Sequence, residues 1–170
     1  MPTSSAGRTS TSRRGVTLVE MMIVLLIISL MAGISFPAIS SGVESLRLRS
    51  AGEEAASMFT GAMNRAERRR VAVEITVVPV DNAIVLTSVE PGFRKYFQPE
   101  GGVLISTVLP RLSSSADPRM PRRFLVYPGG AVPRIGVVLS NARGARRLVR
   151  LDPITGVAES RLLEPAEVLP

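Results

Sequence analysis

The distribution of apolar and polar residues separates the start of the chain from everything that follows. Fifteen polar, basic and Ser/Thr-rich residues, MPTSSAGRTSTSRRG, precede an almost unbroken apolar run of 21 residues from Val16 to Phe36. A helix of that length measures about 32 Å, close to the hydrocarbon thickness of about 30 Å. The run therefore predicts one transmembrane helix. The arginines before it predict a cytoplasmic N-terminus, with the remainder of the chain outside.

Helical periodicity continues in amphipathic form from Ala38 to about Arg70, with charged residues on the other faces. We expect its apolar stripe to pack on a sheet. The stripe consists of Ala51, Ala55, Met58, Phe59, Ala62, Met63 and Ala66. The run ERRR, from Glu67 to Arg70, is expected to be a solvated helix end whose cations complement the C-terminal dipole.

From Val71 onward the pattern changes to β-branched segments separated by turn residues. The segments VAVEITVVPV and AIVLTSV, on either side of Asp81 and Asn82, predict a hairpin. Further strands are predicted in FRKYF, GGVLISTVL, RRFLVYPGG, RIGVVLS, RRLVRLD and GVAESR, with a loop over residues 110–122. One long helix followed by a run of strands predicts an α+β fold, in which the helix packs on a C-terminal antiparallel β-rich domain.

Composition argues against several classes of function. The chain contains no Cys, no His and no Trp, and Lys95 is its only lysine. Disulfides, a thiolate nucleophile and sulfur-ligated zinc are therefore excluded, and the commonest general base and metal ligand is missing. We expect no enzymatic activity, no catalytic residue, no cofactor and no metal site.

The remaining polar residues do not form a recognisable catalytic or ligand-binding motif. Asp81, Asp117 and Asp152 are dispersed through predicted turns, without the close alternation of oxygen ligands in a calcium loop. The serines at 113–115 have no neighbouring base. The glycine pairs at 101–102 and 129–130 lack the strand–loop–helix setting of a phosphate site. These residues are interpreted as turn and loop formers.

The net charge of +7 arises partly from the first fifteen residues, which hold three of the 21 basic residues and no acid. Without them the chain has 18 basic and 14 acidic residues, a net charge of +4. That surplus alone does not indicate nucleic-acid binding.

The apolar run also differs from an ordinary secretory signal. It is longer than the usual 7–15 residues and lacks a good small-residue cleavage site after it. The basic leader, Gly15, the sequence VTLVE and the long apolar helix resemble the signal of type IV prepilins and type II secretion pseudopilins. That resemblance implies that a prepilin peptidase cuts between Gly15 and Val16 and that Val16 is N-methylated. Phe is usual where this chain has Val16.

Glu20 becomes the fifth residue after that cut, and two roles are open to it. Its carboxylate could neutralise the positive end of its own helix, worth about 0.3–1 kcal/mol. Alternatively, it pairs with the Val16 ammonium of a neighbouring subunit, the assembly role that the resemblance implies. Pro37, at a position where the family commonly has proline, removes a backbone bond to Gly33, so we expect a bend or a locally melted turn near residues 33–37.

The second half extends the resemblance. The stretch RLRSAGEEAASMFTGAMNRAERRRVAVEI, the segment FLVYPGG and the segment VVLSNARGARRLVRLDPITG are similar to H-type minor pseudopilins and FimT-like minor pilins. The resemblance implies a leader at 1–15, an assembly helix at 16–37, an amphipathic helix at 38–70 and a β-rich domain at 71–170.

The function implied is that of a minor pseudopilin of a type II secretion system. It would be anchored in the bacterial inner membrane and would assemble near the tip of a periplasmic pseudopilus. Its partners would be the prepilin peptidase/N-methyltransferase, other pilins or pseudopilins, the inner-membrane assembly platform and, before assembly, membrane lipid.

Two alternatives remain. The first is a FimT-like pilin that binds DNA through Arg143, Arg146, Arg147 and Arg150, if these line one exposed surface. The second is a membrane-anchored β-rich protein unrelated to pili.

Overall fold

The fold consists of one long helix followed by eight strands. The computed structural model describes residues 15–111, 117, 119–164 and 167, and for residues 36–41 it describes the backbone alone. Helix α1 spans Leu18–Arg69, a length of 52 residues. The chain divides into two compact units, one ending at Ser40 and the other beginning at Ser41.

In the first unit, α1 is apolar around its whole circumference. From Leu18 to Ser35 it is long and apolar enough to cross a membrane, and it is the only such helix among the described residues. Every residue of this stretch is exposed within the isolated chain. This apolar surface is unfavourable in water, so it is a candidate membrane span or contact surface.

In the second unit, α1 becomes amphipathic and contributes one wall of the core. Leu48, Ala55, Phe59, Ala62 and Ala66 are between 0 and 2% exposed. They pack in one cluster with side chains from both sheets. The predicted stripe is confirmed, with Met63 only partly buried against the same cluster.

The eight strands form two four-stranded antiparallel sheets. The first sheet has the order β3-β2-β1-β5 and the second has the order β4-β6-β7-β8. The strands are β1 Val73–Val78, β2 Ala83–Ser88, β3 Arg94–Phe97, β4 Leu104–Leu109, β5 Arg122–Val126, β6 Gly136–Ser140, β7 Arg146–Leu151 and β8 Ala158–Leu163. The predicted α+β fold, with one helix and antiparallel strands, is confirmed.

Asn82 joins the two sheets. It follows β1 with a φ of 51°, in the left-handed region that Asn tolerates better than most residues. Its Nδ2 donates to the carbonyl of Val103 at 2.8 Å, and its Oδ1 accepts from the amide of Ile105 at 2.7 Å. The β1–β2 turn of the first sheet is thereby tied to the first residues of β4 in the second sheet.

Two contacts fasten the end of α1 to the strands. The Arg65 guanidinium pairs with Glu90 and lies 3.5 Å from the ring centroid of Phe93. Two residues on, Glu67 Oε1 accepts a hydrogen bond from the amide of Gly129 at 2.7 Å. The last turn is therefore held by the β2–β3 and β5–β6 connections, while residues 67–70 are exposed, as predicted.

The helical assignment is continuous through Gly33 and Pro37. The Pro37 side chain lies outside the described residues, so the bend expected near residues 33–37 stays a prediction. The boundary predicted at 37/38 likewise stays a prediction, and the division into compact units falls at 40/41.

Two glycines of α1 provide a matched test of packing against the second sheet. A Cβ on Gly52 would overlap Arg147 Cδ and lie 2.7 Å from Ser160 Oγ, whereas a Cβ on Gly61 meets nothing within 4 Å. Alanine removes a helix penalty of about 0.5–1 kcal/mol at either position. We therefore expect Gly61→Ala to stabilise the protein by up to about 1 kcal/mol.

Gly52→Ala should instead lower the free energy of unfolding, because Arg147 must move away from Ser160. Denaturant unfolding of both variants in the same detergent measures the difference. Equal stabilisation by the two substitutions would contradict the close packing of α1 against β7 and β8.

Candidate processing and assembly site

The predicted cleavage site lies in exposed backbone that precedes the helix. Gly15, Val16 and Thr17 are exposed and have no helical assignment, and α1 begins at Leu18. A side chain on Gly15 would meet no described atom of the chain within 4 Å. The Gly15–Val16 bond therefore lies outside the helix, in an exposed part of the chain.

Thr17 explains why the helix begins where it does. Its Oγ1 accepts a hydrogen bond from the amide of Glu20 at 3.2 Å, and its carbonyl accepts from the amide of Met21 at 3.2 Å. Thr17 is therefore the N-cap and Glu20 the third helical residue, the spacing of a capping box. Our sequence interpretation missed this role, although Thr-x-x-Glu before an apolar run is the known signal for it.

Glu20 is an exposed carboxylate in the first turn of an otherwise apolar helical surface. None of the described residues of the same chain forms an ion pair with it. The amino end of the helix favours a negative charge at this position. Both roles considered above for Glu20 are compatible with this placement. Its pairing with Val16 of another subunit stays a prediction, because the structure describes one chain.

The four arginines of the candidate nucleic-acid patch lie in different settings. Arg143 is in the β6–β7 turn, and its Nε is 2.8 Å from Glu44 Oε2 on α1. Arg147 extends from β7 toward α1, and its Nη1 donates to the carbonyl and to the hydroxyl of Ser160 at 3.3 and 3.2 Å. Both guanidinium groups are therefore engaged within the domain.

Arg146 and Arg150 occupy the opposite face of the same strand, because side chains alternate along β7. Arg150 pairs with Glu159 of β8 at 3.4 Å. The premise that all four arginines line one surface is therefore wrong for Arg147, although DNA binding itself is untested.

Asp152 forms a turn, as predicted. Its Oδ1 accepts from the amides of Thr155 and Ile154 at 2.7 and 2.9 Å and from the Thr155 hydroxyl at 3.1 Å. The backbone bond from Thr155, followed by that from Ile154, lowers the pKa of this carboxyl group. Asp81 and Asp117, the other two aspartates predicted in turns, also lie outside the helix and the strands. The serines at 113–115 are not among the described residues.

No group of three or more acidic side chains that could hold a metal occurs within the described parts of the chain. Several acidic residues of the second unit instead pair with arginines, and Asp117 and Asp152 accept hydrogen bonds from turn amides.

The chain was compared with models of known protein families. Residues 10–36 match the model described as the prokaryotic N-terminal methylation motif. The chain carries this methylation motif. The match supports a type IV pilin-like or pseudopilin protein, a group whose members are structural subunits rather than enzymes.

The methylation motif implies processing by a prepilin peptidase and assembly with other pilins. Together with the apolar part of α1, it is compatible with a single-pass membrane anchor. Neither the curated proteins nor the solved structures yielded a match. The resemblance of residues beyond 36 to H-type or FimT-like proteins therefore has no support from these comparisons.

The cap predicts a local effect at the start of the helix. Thr17→Ala should cost about 0.5–2 kcal/mol of helix stability at this end, whereas Thr17→Ser should retain most of it. Amide hydrogen exchange in detergent micelles should become faster in Thr17→Ala for residues 18–21 and stay near wild type in Thr17→Ser. Thr60→Ala, in the middle of α1, is the control and should leave these amides unchanged. Unaltered exchange in Thr17→Ala would show that Thr17 does not cap the helix in solution.

Proposed function

We propose that this protein is a minor pseudopilin of a type II secretion system. It is inserted in the inner membrane with its N-terminus in the cytoplasm, processed at Gly15, methylated at Val16 and built into a periplasmic pseudopilus near its tip. The observation that carries the proposal is the methylation motif at residues 10–36, which includes the exposed apolar stretch Leu18–Ser35. The function is assembly, and the peptidase acts on this chain as its substrate.

Processing converts the membrane anchor into an assembly element. Cleavage after Gly15 removes Arg8, Arg13 and Arg14 and leaves an ammonium group on Val16, four residues before Glu20. The basic leader opposes movement of this end into the membrane, because arginine is costly in hydrocarbon. Once it is removed, the helix ends in one cation followed by one anion.

Glu20 then selects the register between neighbouring helices. An unpaired carboxylate in apolar surroundings costs up to about 2.5–3.5 kcal/mol. Pairing with the Val16 ammonium of an adjacent subunit relieves that cost in one axial position and leaves it in place in others. The apolar side chains around Glu20 attract neighbouring helices but do not select their axial register. The ion pair is therefore what fixes that register.

The choice of a secretion filament over a type IV pilus rests on the resemblance of the second half to H-type minor pseudopilins. A FimT-like minor pilin, acting in pilus assembly or DNA uptake, is the alternative. The arginines in residues 143–150 do not favour the DNA role, since Arg147 faces α1 and Arg143 pairs with Glu44.

Processing is tested first, by the intact mass and N-terminal peptide of membrane-extracted protein made with and without a co-expressed prepilin peptidase. We expect a peptide beginning with N-methylated Val16 only when the peptidase is present. Gly15→Leu should abolish the cut. The matched control is Gly33→Ala, whose added Cβ meets nothing within 4 Å, and it should be cut normally. A wild-type chain that keeps residues 1–15 beside an active peptidase would refute the pilin pathway.

Assembly is tested separately by Glu20→Gln. Loss of an interaction worth even about 1.4 kcal/mol weakens association tenfold, so we expect several-fold less co-purification with partner pseudopilins. Cleavage at Gly15 is expected to continue. Glu54→Gln, on an exposed position of α1 in the second unit, should leave both readouts unchanged. Normal assembly of Glu20→Gln would leave Glu20 with the dipole role alone.

A further inference from the structure

Strand β3 forms one edge of the first sheet. It pairs with β2 on one side, and on its other side it forms no ladder with any of the described strands. The backbone groups on that side are a template on which an extended segment of another chain can add a strand. Phe97 is buried, whereas Arg94, Lys95 and Tyr96 are exposed. The edge of β3 is therefore accessible along most of its length.

A cavity lies beside this edge, between β3 and α1. It is open and has a volume of about 620 Å³. Its lining consists of residues 96–101, on and after β3, and of Arg47, Ser50, Ala51 and Glu54 on α1. Side chains alternate along a strand, so every second side chain of a strand added to β3 would lie on the α1 side of the sheet. The cavity provides space for those side chains.

Contacts at both ends hold β3 in place without a partner. Directly before the strand, the ring centroid of Phe93 lies 3.5 Å from the guanidinium carbon of Arg65 on α1. Directly after it, Gln98 Nε2 donates to the carbonyl of Asp81 at 3.1 Å, and Gln98 Oε1 accepts from the Tyr96 hydroxyl at 3.2 Å. An edge that is already ordered lowers the entropy cost of binding an extended segment.

The accessible part of β3 carries two adjacent cations. Arg94 and Lys95 are exposed, and none of the described residues forms an ion pair with either of them. On β5, the opposite edge of the same sheet, Arg123 lies 3.7 Å from a carboxylate oxygen of Glu74. Cations at a binding edge attract acidic segments and repel basic ones. The charge of β3 therefore favours an acidic strand.

Other occupants fit this edge less well. Among the described residues that line the cavity, Arg47 is the only cation, whereas Glu54 and Glu100 contribute two carboxylates. This lining does not favour a small anion. A second copy of β3 would bring Arg94 and Lys95 near their own counterparts, and like charges on paired strands are destabilising.

We propose that the open edge of β3 binds an extended acidic segment of another protein as a fifth strand of the first sheet. The backbone of the segment hydrogen-bonds to residues 94–97, and its carboxylates lie beside Arg94 and Lys95. Its alternate side chains enter the cavity between β3 and α1. This interaction does not depend on the type of filament that the chain joins, and its failure would leave the processing and assembly predictions untouched.

Binding is measured by fluorescence anisotropy with the full-length protein in an uncharged detergent and a labelled peptide of alternating Glu and Val. We expect saturable binding, and at least about tenfold weaker binding of the counterpart peptide in which Lys replaces Glu. Arg94→Glu combined with Lys95→Glu should weaken binding of the acidic peptide by a similar factor. The matched control combines Arg119→Glu with Arg134→Glu, two exposed positions outside β3, and should bind the acidic peptide several-fold more tightly than the β3 variant.

Two measurements on the unaltered protein test whether the peptide adds a strand. Saturating acidic peptide should slow hydrogen exchange of the amides in residues 94–97 that face the open edge, because they gain backbone acceptors, and should leave residues 122–126 of β5 unchanged. The acidic peptide is also N-methylated at its odd or at its even residues, which removes the backbone donors of one of its two edges. One of these two peptides should bind at least about tenfold more weakly than the other.

Four results would overturn the proposal. The first is no binding of the acidic peptide at about millimolar concentration. The second is equal binding by the β3 variant and its matched control. The third is unchanged exchange of residues 94–97 with the peptide bound, which would reduce the interaction to a contact between charges. The fourth is slow exchange of these residues in a dimer that forms without peptide, which would assign the edge to a second copy.

Discussion

A helix that is apolar on every side has no stable position in water, and the first eighteen residues of α1 are such a helix. Among the described residues nothing covers this surface. Burial of a large aliphatic side chain is worth about 1.5–3 kcal/mol, so contact with lipid or with other apolar helices would stabilise this stretch strongly. These non-directional contacts do not fix depth or register. The polar groups at the start of the helix must do so.

These polar groups are the side chains of Thr17 and Glu20, and each has a different role. The hydroxyl of Thr17 accepts a hydrogen bond from the amide of Glu20. The helix therefore begins just after the bond that is expected to be cut. Glu20 places one anion in the first turn, where the helix dipole favours it. A single short segment therefore contains the helix boundary, the bond expected to be cut and the carboxylate proposed to pair with a neighbour.

Hydrophobic periodicity was sufficient to predict the helix, its buried stripe and the positions of the strands. It could not give the strand order, because β5 pairs with β1 and β4 pairs with β6 across long stretches of sequence. Such pairings depend on which surfaces close around Phe59 and its neighbours rather than on local propensity. Thr17 was different, since its capping signal was present in the sequence and was overlooked. The sequence left open whether the four arginines share one surface, and the alternation of side chains along β7 places Arg147 on the face opposite Arg146 and Arg150.

A basic surplus becomes a nucleic-acid surface only when the cations are available to phosphate. In this domain, several arginines already hold acids or carbonyl groups that belong to other elements. Arg143 joins the β6–β7 turn to α1, and Arg147 crosses Gly52 to reach Ser160. Arg161 holds Glu167 of the segment after β8. If these guanidinium groups bound a polyanion instead, the contacts that they make between elements would be lost. Exposed lysines without such contacts could bind a polyanion without that loss of stability. The basic surplus of this domain is therefore better explained by contacts between its own elements.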